Sequence, residues 1–134
     1  MSASVVLKAF NNHFDEFVAD IQSVFPANRD VATAQNALAM LRKGNPTILI
    51  GLWNQHIVAK YVEQIEAGNI DFFINYDYSQ DVQDIADANK IMEYIDKFRQ
   101  PIADMDVENQ KKCMKYIQNL TGLAQTYMKA KYGM

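Results

Sequence analysis

The sequence predicts an all-α fold: a single domain over residues 1–134, built as an irregular bundle of about five main helices with a short aromatic-rich connector. Three observations predict it. Apolar residues recur at three- and four-residue steps through several long stretches, as they do when one helix face is buried. Residues that stop and start helices fall between those stretches. Only Ile48–Trp53 could read as a buried strand, and no second candidate exists to pair with it.

The first helix is expected from about Ser4 to Phe25, with Leu7, Phe10, Phe14, Phe17, Val18, Ile21, Val24 and Phe25 as its stripe. Pro26 and Asn28 end it. Asp30 is expected to cap a second helix through Val31, Ala34, Leu38 and Leu41, stopped at Gly44. Asn45 followed by Pro46 reads as the start of a third, a side-chain cap and then a residue whose missing N–H costs nothing there. Its stripe runs Ile48, Leu49, Leu52, Trp53, Ile57, Tyr61, Ile65, and Gly68 with Asn69 stops it. The segment 70–79 reads as a short helical turn and loop. A fourth helix is expected from about Ser79 to Arg99, interrupted at Pro101. Asp106 then caps a last helix carrying Cys113, Met114, Ile117, Leu120, Leu123, Ala124, Tyr127 and Met128, in which Gly122 suggests close approach by another backbone. The expected core includes Phe14, Phe17, Ile21, Leu49, Leu52, Ile91, Ile95, Ile117 and Leu120.

Composition narrows the class of function. A chain that is 49% hydrophobic and 22% charged is globular rather than disordered. No apolar run approaches the roughly 20 residues of a membrane span, and Met1–Lys8 lacks the pattern of a signal peptide. The lone Cys113 cannot staple the fold, which points to a reducing, intracellular setting or leaves redox chemistry unused. The net charge of −3 is unevenly spread: +1 over residues 1–62, −7 over 63–104 and +3 over 105–134. The overall acidity argues against broad nucleic-acid binding as the main role.

No constellation for catalysis is visible. His13 and His56 have no partner histidine at helix-face spacing, so both read as structural or solvated, and no metal site or cofactor is expected. Asp77, Asp81, Asp84 and Asp87 step around one helix face. They read first as a solvated helix start favoured by the macrodipole, and second as an oxygen cluster for Mg²⁺ or Ca²⁺. Cys113 lies in an apolar stripe and reads as a core thiol rather than a nucleophile. Lys111, Lys112 and Lys115, interleaved with Tyr116, Tyr127 and Tyr132, offer a nucleic-acid contact if they are more than a solvated face. The connector has two readings that can coexist: Phe72 and Phe73 as a lid over the bundle end, and Tyr76, Asp77, Tyr78 and Asp81 as a partner-facing patch, with Trp53 and Tyr61 as support or as exposed anchors.

Lys43-Gly44-Asn45-Pro46, Trp53, Tyr61, Ile65-Glu66-Ala67-Gly68, Phe72-Phe73, Asp77-Tyr78 and Lys115-Tyr116-Ile117-Gln118-Asn119-Leu120-Thr121 together resemble a family. It is a group of short helical proteins, with no assigned activity, encoded by large double-stranded DNA viruses of algae and protists. The resemblance spans about Phe10 to Tyr127 and rests on packing and turn residues. It implies a viral origin and a place in the infected cell's cytoplasm or nucleus or in the virion, and it nominates no site residue.

The function expected is therefore non-enzymatic protein–protein interaction, as a virion component or an adaptor in assembly or host manipulation. The partner would be a viral or host protein, or a second copy of the chain. Its contact surface is expected at Phe72, Phe73, Tyr76, Asp77, Tyr78 and Asp81. An accessory nucleic-acid-binding factor using Lys111, Lys112 and Lys115 is the alternative, and a metal-dependent hydrolase using Asp77, Asp81 and Asp84 ranks third.

Overall fold

The computed structural model describes residues 2–75 and 93–133; among these, all regular structure is helical and no strand occurs. Helix α1 spans Ala3–Val24 and buries Val6, Phe10, Phe14, Phe17, Val18 and Ile21, while the Ser2 hydroxyl accepts the Val5 N–H at its start. Helix α2 spans Arg29–Gly44. Its cap is Asn28, whose Oδ1 accepts the Val31 N–H at 3.1 Å, and not Asp30, which sits inside the first turn where a carboxylate favours the positive helix end.

The next start also departs from expectation. Asn45 closes α2 through its N–H on the Leu41 carbonyl, and its side-chain oxygen takes the Thr47 hydroxyl instead of capping a helix. The helical run that follows has three parts: α3, Ile48–Leu52; a π-helical segment, Trp53–Val58; and α4, Ala59–Glu66. The π segment gives a reason for the long stripe. In an uninterrupted α-helix Ile65 would lie about 160° around from Leu49; one inserted residue returns it to about 60°. Leu49, Trp53, Ile57 and Ile65 are accordingly all buried. The run ends as predicted at Gly68, whose φ of 74° suits glycine. There the Gly68 and Asn69 N–H groups bond the Ile65 and Gln64 carbonyls, the paired pattern that closes a helix with a left-handed residue.

After the short α5, Asp71–Asn75, the description resumes at residue 93. Residues 93–96 are helical, a turn at 97–98 follows, and α6 runs Arg99–Asp104. The break thus falls before Pro101, which occupies the first turn of α6, where an N–H would have no partner within the helix. Arg99 ties α6 to α5 by donating to the Ile74 carbonyl at 3.2 Å, and it pairs with Asp96. Helix α7, Val107–Tyr132, is capped by Asp106 as expected, through Oδ1 on the Asn109 N–H.

α1 and α7 form the principal helix pair, with α2 packed against α1 and α3, and the π segment and α4 along α7. The expected core residues Phe14, Phe17, Ile21, Leu49, Leu52, Ile95, Ile117 and Leu120 are all buried; Ile91 lies outside the described residues. Gly122 reverses its reading. A side-chain carbon added there would meet nothing within 4 Å, so no backbone comes close.

Candidate functional site

The connector begins as part of the fold. Asn69 Oδ1 accepts the Asp71 N–H at 3.0 Å and holds the entry to α5. This turn drives Phe73 into the core, where it is 2% exposed, and leaves Phe72 half-buried. The Phe72 ring stacks on Tyr61 of α4 at 5.2 Å between centroids. Phe73 therefore packs in the core and Phe72 against α4, and of the two Phe72 shows surface. Tyr76, Asp77, Tyr78 and Asp81, with Asp84 and Asp87, lie outside the described residues. Trp53 is no exposed anchor. It is 2% exposed, packs edge-on against Phe10, and donates its indole N–H to Thr121 Oγ1 of α7 at 3.1 Å. Asn54 beside it donates to the Ala124 carbonyl at 3.1 Å, so the π segment aims two polar side chains at α7.

Lys111, Lys112 and Lys115 are exposed, but α7 presents them on different sides. Residues four apart share a face, so Val107, Lys111 and Lys115 form one row, and Gln110, Met114 and Gln118 form the row beside it. Together with Gly68 and Ile70 these two rows line a groove. Lys112 instead lines a smaller hollow with Asp20, Met105 and Tyr116. Of the three tyrosines that would have stacked nucleic-acid bases, Tyr132 is exposed and the other two are spent. Tyr116 stacks on Phe17 at 5.3 Å and donates its hydroxyl to Asp20 Oδ2 at 2.5 Å, and Tyr127 is buried. The aspartate holds the Tyr116 hydroxyl protonated, its pKa pushed up to about 12.

The remaining titratable groups that come together serve as ties between helices. Arg42 of α2 is 8% exposed and donates to the Leu38 carbonyl at 3.1 Å, the Asn11 carbonyl at 3.0 Å and Asp15 Oδ1 at 2.5 Å, with its guanidinium over the Phe14 ring. His13 packs against Tyr116 at 4.9 Å and has Nδ1 3.5 Å from Glu16 Oε2. Cys113 is buried, donates to Met105 Sδ at 3.5 Å, and has its pKa pushed up to about 12 by burial and then by Asp20, which disfavours the nucleophilic thiolate. Among the described residues no group of three or more His, Cys, Asp or Glu is placed to hold a metal ion, and no helix is long and apolar enough to cross a membrane.

The buried arginine and the Trp53–Thr121 bond had no separate signal in the sequence; each depends on which helix lies opposite. No protein-family model, curated protein or solved structure matches the chain.

Proposed function

We propose that this chain is a non-enzymatic interaction protein whose contact face starts at the elbow between α4 and α5. The observation that carries this reading is the half-buried Phe72 stacked on Tyr61, an aromatic surface fixed by the core residue beside it. Rigid aromatics dominate binding energy because they remove much apolar area from water while freezing few torsions. The reading extends to Tyr76 and Tyr78, with Asp77 and Asp81 as rim charges, on the chemistry of those side chains. The uses found for Asp15, Asp20, Arg42, Cys113 and Tyr116 within the bundle support binding over catalysis. In the setting that the viral resemblance implies, the role is a virion component or an adaptor in assembly or host manipulation. The nucleic-acid alternative keeps its exposed lysines but has lost Tyr116 and Tyr127 as stacking platforms.

The test is affinity capture of a partner, scored against folding. Tyr76→Ala, Tyr78→Ala and Phe72→Ala should weaken capture by about tenfold or more, with little change in melting temperature for the two tyrosine variants. Phe73→Ala should lower the melting temperature first, since Phe73 is core. Folded tyrosine and Phe72 variants that capture every partner fully would move the contact face elsewhere.

A further inference from the structure

The groove beside the elbow has a composition that names a class of partner. Its helical wall is the pair of α7 rows already described, and its other wall is Gly68 and Ile70. In the inner row the side-chain amides tie back to the fold: Gln110 donates to the Ile102 carbonyl at 3.1 Å, and Gln118 to the Ile65 carbonyl at 2.9 Å. Between them Met114 is almost fully buried, so the apolar surface open to a partner comes from the part-exposed Ile70 and from Val107. The outer row is different. Val107 is 65% exposed, and Lys111 and Lys115 follow it one and two turns along. Residues 107–118 give the wall a length of about 16 Å at the helical rise, close to three turns of an α-helix. Among the described residues lining the groove there are two lysines and no carboxylate. Glu108, exposed one residue after Val107, is not among the residues that line the groove.

We infer that this groove docks a short acidic amphipathic segment of a partner protein. Apolar side chains of that segment would lie against Ile70 and Val107, and its carboxylates would meet Lys111 and Lys115. This inference rests on the interaction reading above and specifies the partner chemistry at the elbow. Apolar contact supplies the affinity and the lysine row sets orientation, because exposed charge pairs contribute little by themselves. A polyanion such as nucleic acid would use the lysines and leave Ile70 and Val107 idle, so the two occupants are separable by experiment.

The experiment is a titration of the isotope-labelled full chain, followed by amide chemical shifts. Three probes are used: a synthetic helix-forming peptide with leucines at three- and four-residue spacing and glutamates between them, the same peptide with alanines replacing the leucines, and a single-stranded oligonucleotide. The leucine–glutamate peptide should shift residues 68–70 and 107–118. It should bind at least tenfold more tightly than its alanine counterpart. Lys111→Glu with Lys115→Glu should weaken it about tenfold, Val107→Asp similarly, and Lys112→Glu should leave it unchanged. Equal binding of the alanine peptide, or tighter binding of the oligonucleotide with loss on Lys112→Glu as well, would overturn the inference and favour a polyanion surface. No shift in the groove with any probe would also overturn it. If the probes fail there while capture of a partner still depends on Phe72, the interaction reading stands and only the acidic partner falls. If capture is indifferent to Phe72, Tyr76 and Tyr78, that reading falls by itself.

Discussion

Replacing Asp15 should destabilise the protein more than replacing Arg42, although the two form one ion pair. Arg42 is 8% exposed and Asp15 is 55% exposed, so removing either leaves a very different remainder. Asp15→Ala leaves a buried guanidinium with two neutral carbonyl acceptors and no counter-charge. A fully buried charge stranded in this way costs about 3–5 kcal/mol. Here the Asp15 end of the pair reaches water, which reduces the expected loss to about 1–3 kcal/mol. Arg42→Met removes the charge itself, keeps most of the volume over the Phe14 ring, and frees a solvated carboxylate that needs no partner. The Leu38 and Asn11 carbonyls it abandons lie inside α2 and α1, where the helical ladder already serves them. That change should cost no more than about 1 kcal/mol, since buried ion pairs are often replaceable by apolar residues of similar size. Urea denaturation of both single variants and the double variant measures the three values and their coupling. In the double variant the Asp15→Ala penalty should nearly vanish. If Arg42→Met is the costlier single change, or if the two penalties simply add, the pair is not a stranded-charge system and the argument fails.

Three further outcomes follow from the geometry. Cys113 keeps its proton in the fold up to about pH 12, whereas an unfolded thiol loses it near 9, so its contribution is complete below pH 9 and is lost as pH rises toward 12. Those three pH units amount to at most about 4 kcal/mol, and Cys113→Ala should flatten the alkaline fall in denaturation midpoint; an unchanged slope would refute the assignment. Thr121→Val should cost about 1–3 kcal/mol by leaving the buried Trp53 indole N–H without its acceptor, with a shift in tryptophan fluorescence; no loss would mean the bond contributes nothing. Gly122→Ala should stabilise the protein by roughly 0.5–1 kcal/mol, because α7 gains helix propensity at an exposed position with open space around it, and a lower melting temperature would contradict that space.

The helices of the described residues were legible because their stripes are long and their ends are marked locally; the fourth expected helix lies outside them from Ser79 to residue 92. Gly68, Asp106 and the core positions of α1 and α7 needed only spacing and cap chemistry to be found. What misled was competition among neighbouring candidates for one cap. Asn28 and Asp30 both suit the start of α2, and the choice depends on which backbone N–H groups the turn after Phe25 leaves open. Asn45 suits both the end of one helix and the start of the next, and its backbone satisfies the first demand. The π segment was hidden for a different reason. Apolar residues fill so many positions from Ile48 to Ile57 that a continuous α-helix fits them equally well, and only the distant Ile65 betrays the extra residue.

The site residues show how far a one-dimensional pattern can carry a surface. Lys111, Lys112 and Lys115 read together as a basic face because they are close in sequence, but a helix sorts neighbours by angle and not by order. Packing against Gly68 and Ile70 then gives Lys111 and Lys115 a groove with no carboxylate in its lining, whereas Lys112 shares its hollow with Asp20. The same sorting consumed Tyr116, which spacing placed among the lysines and α1 claimed through Phe17 and Asp20. What spacing could supply was the inventory of charges and aromatics. Which of them face the same solvent was decided by the helix lying opposite, and that pairing depends on the whole core rather than on any motif. The two changes that separate these causes are Lys112→Glu and Lys115→Glu. They alter net charge identically on adjacent turns of one helix, so between variants of equal melting temperature a greater loss of binding with Lys115→Glu points to the groove.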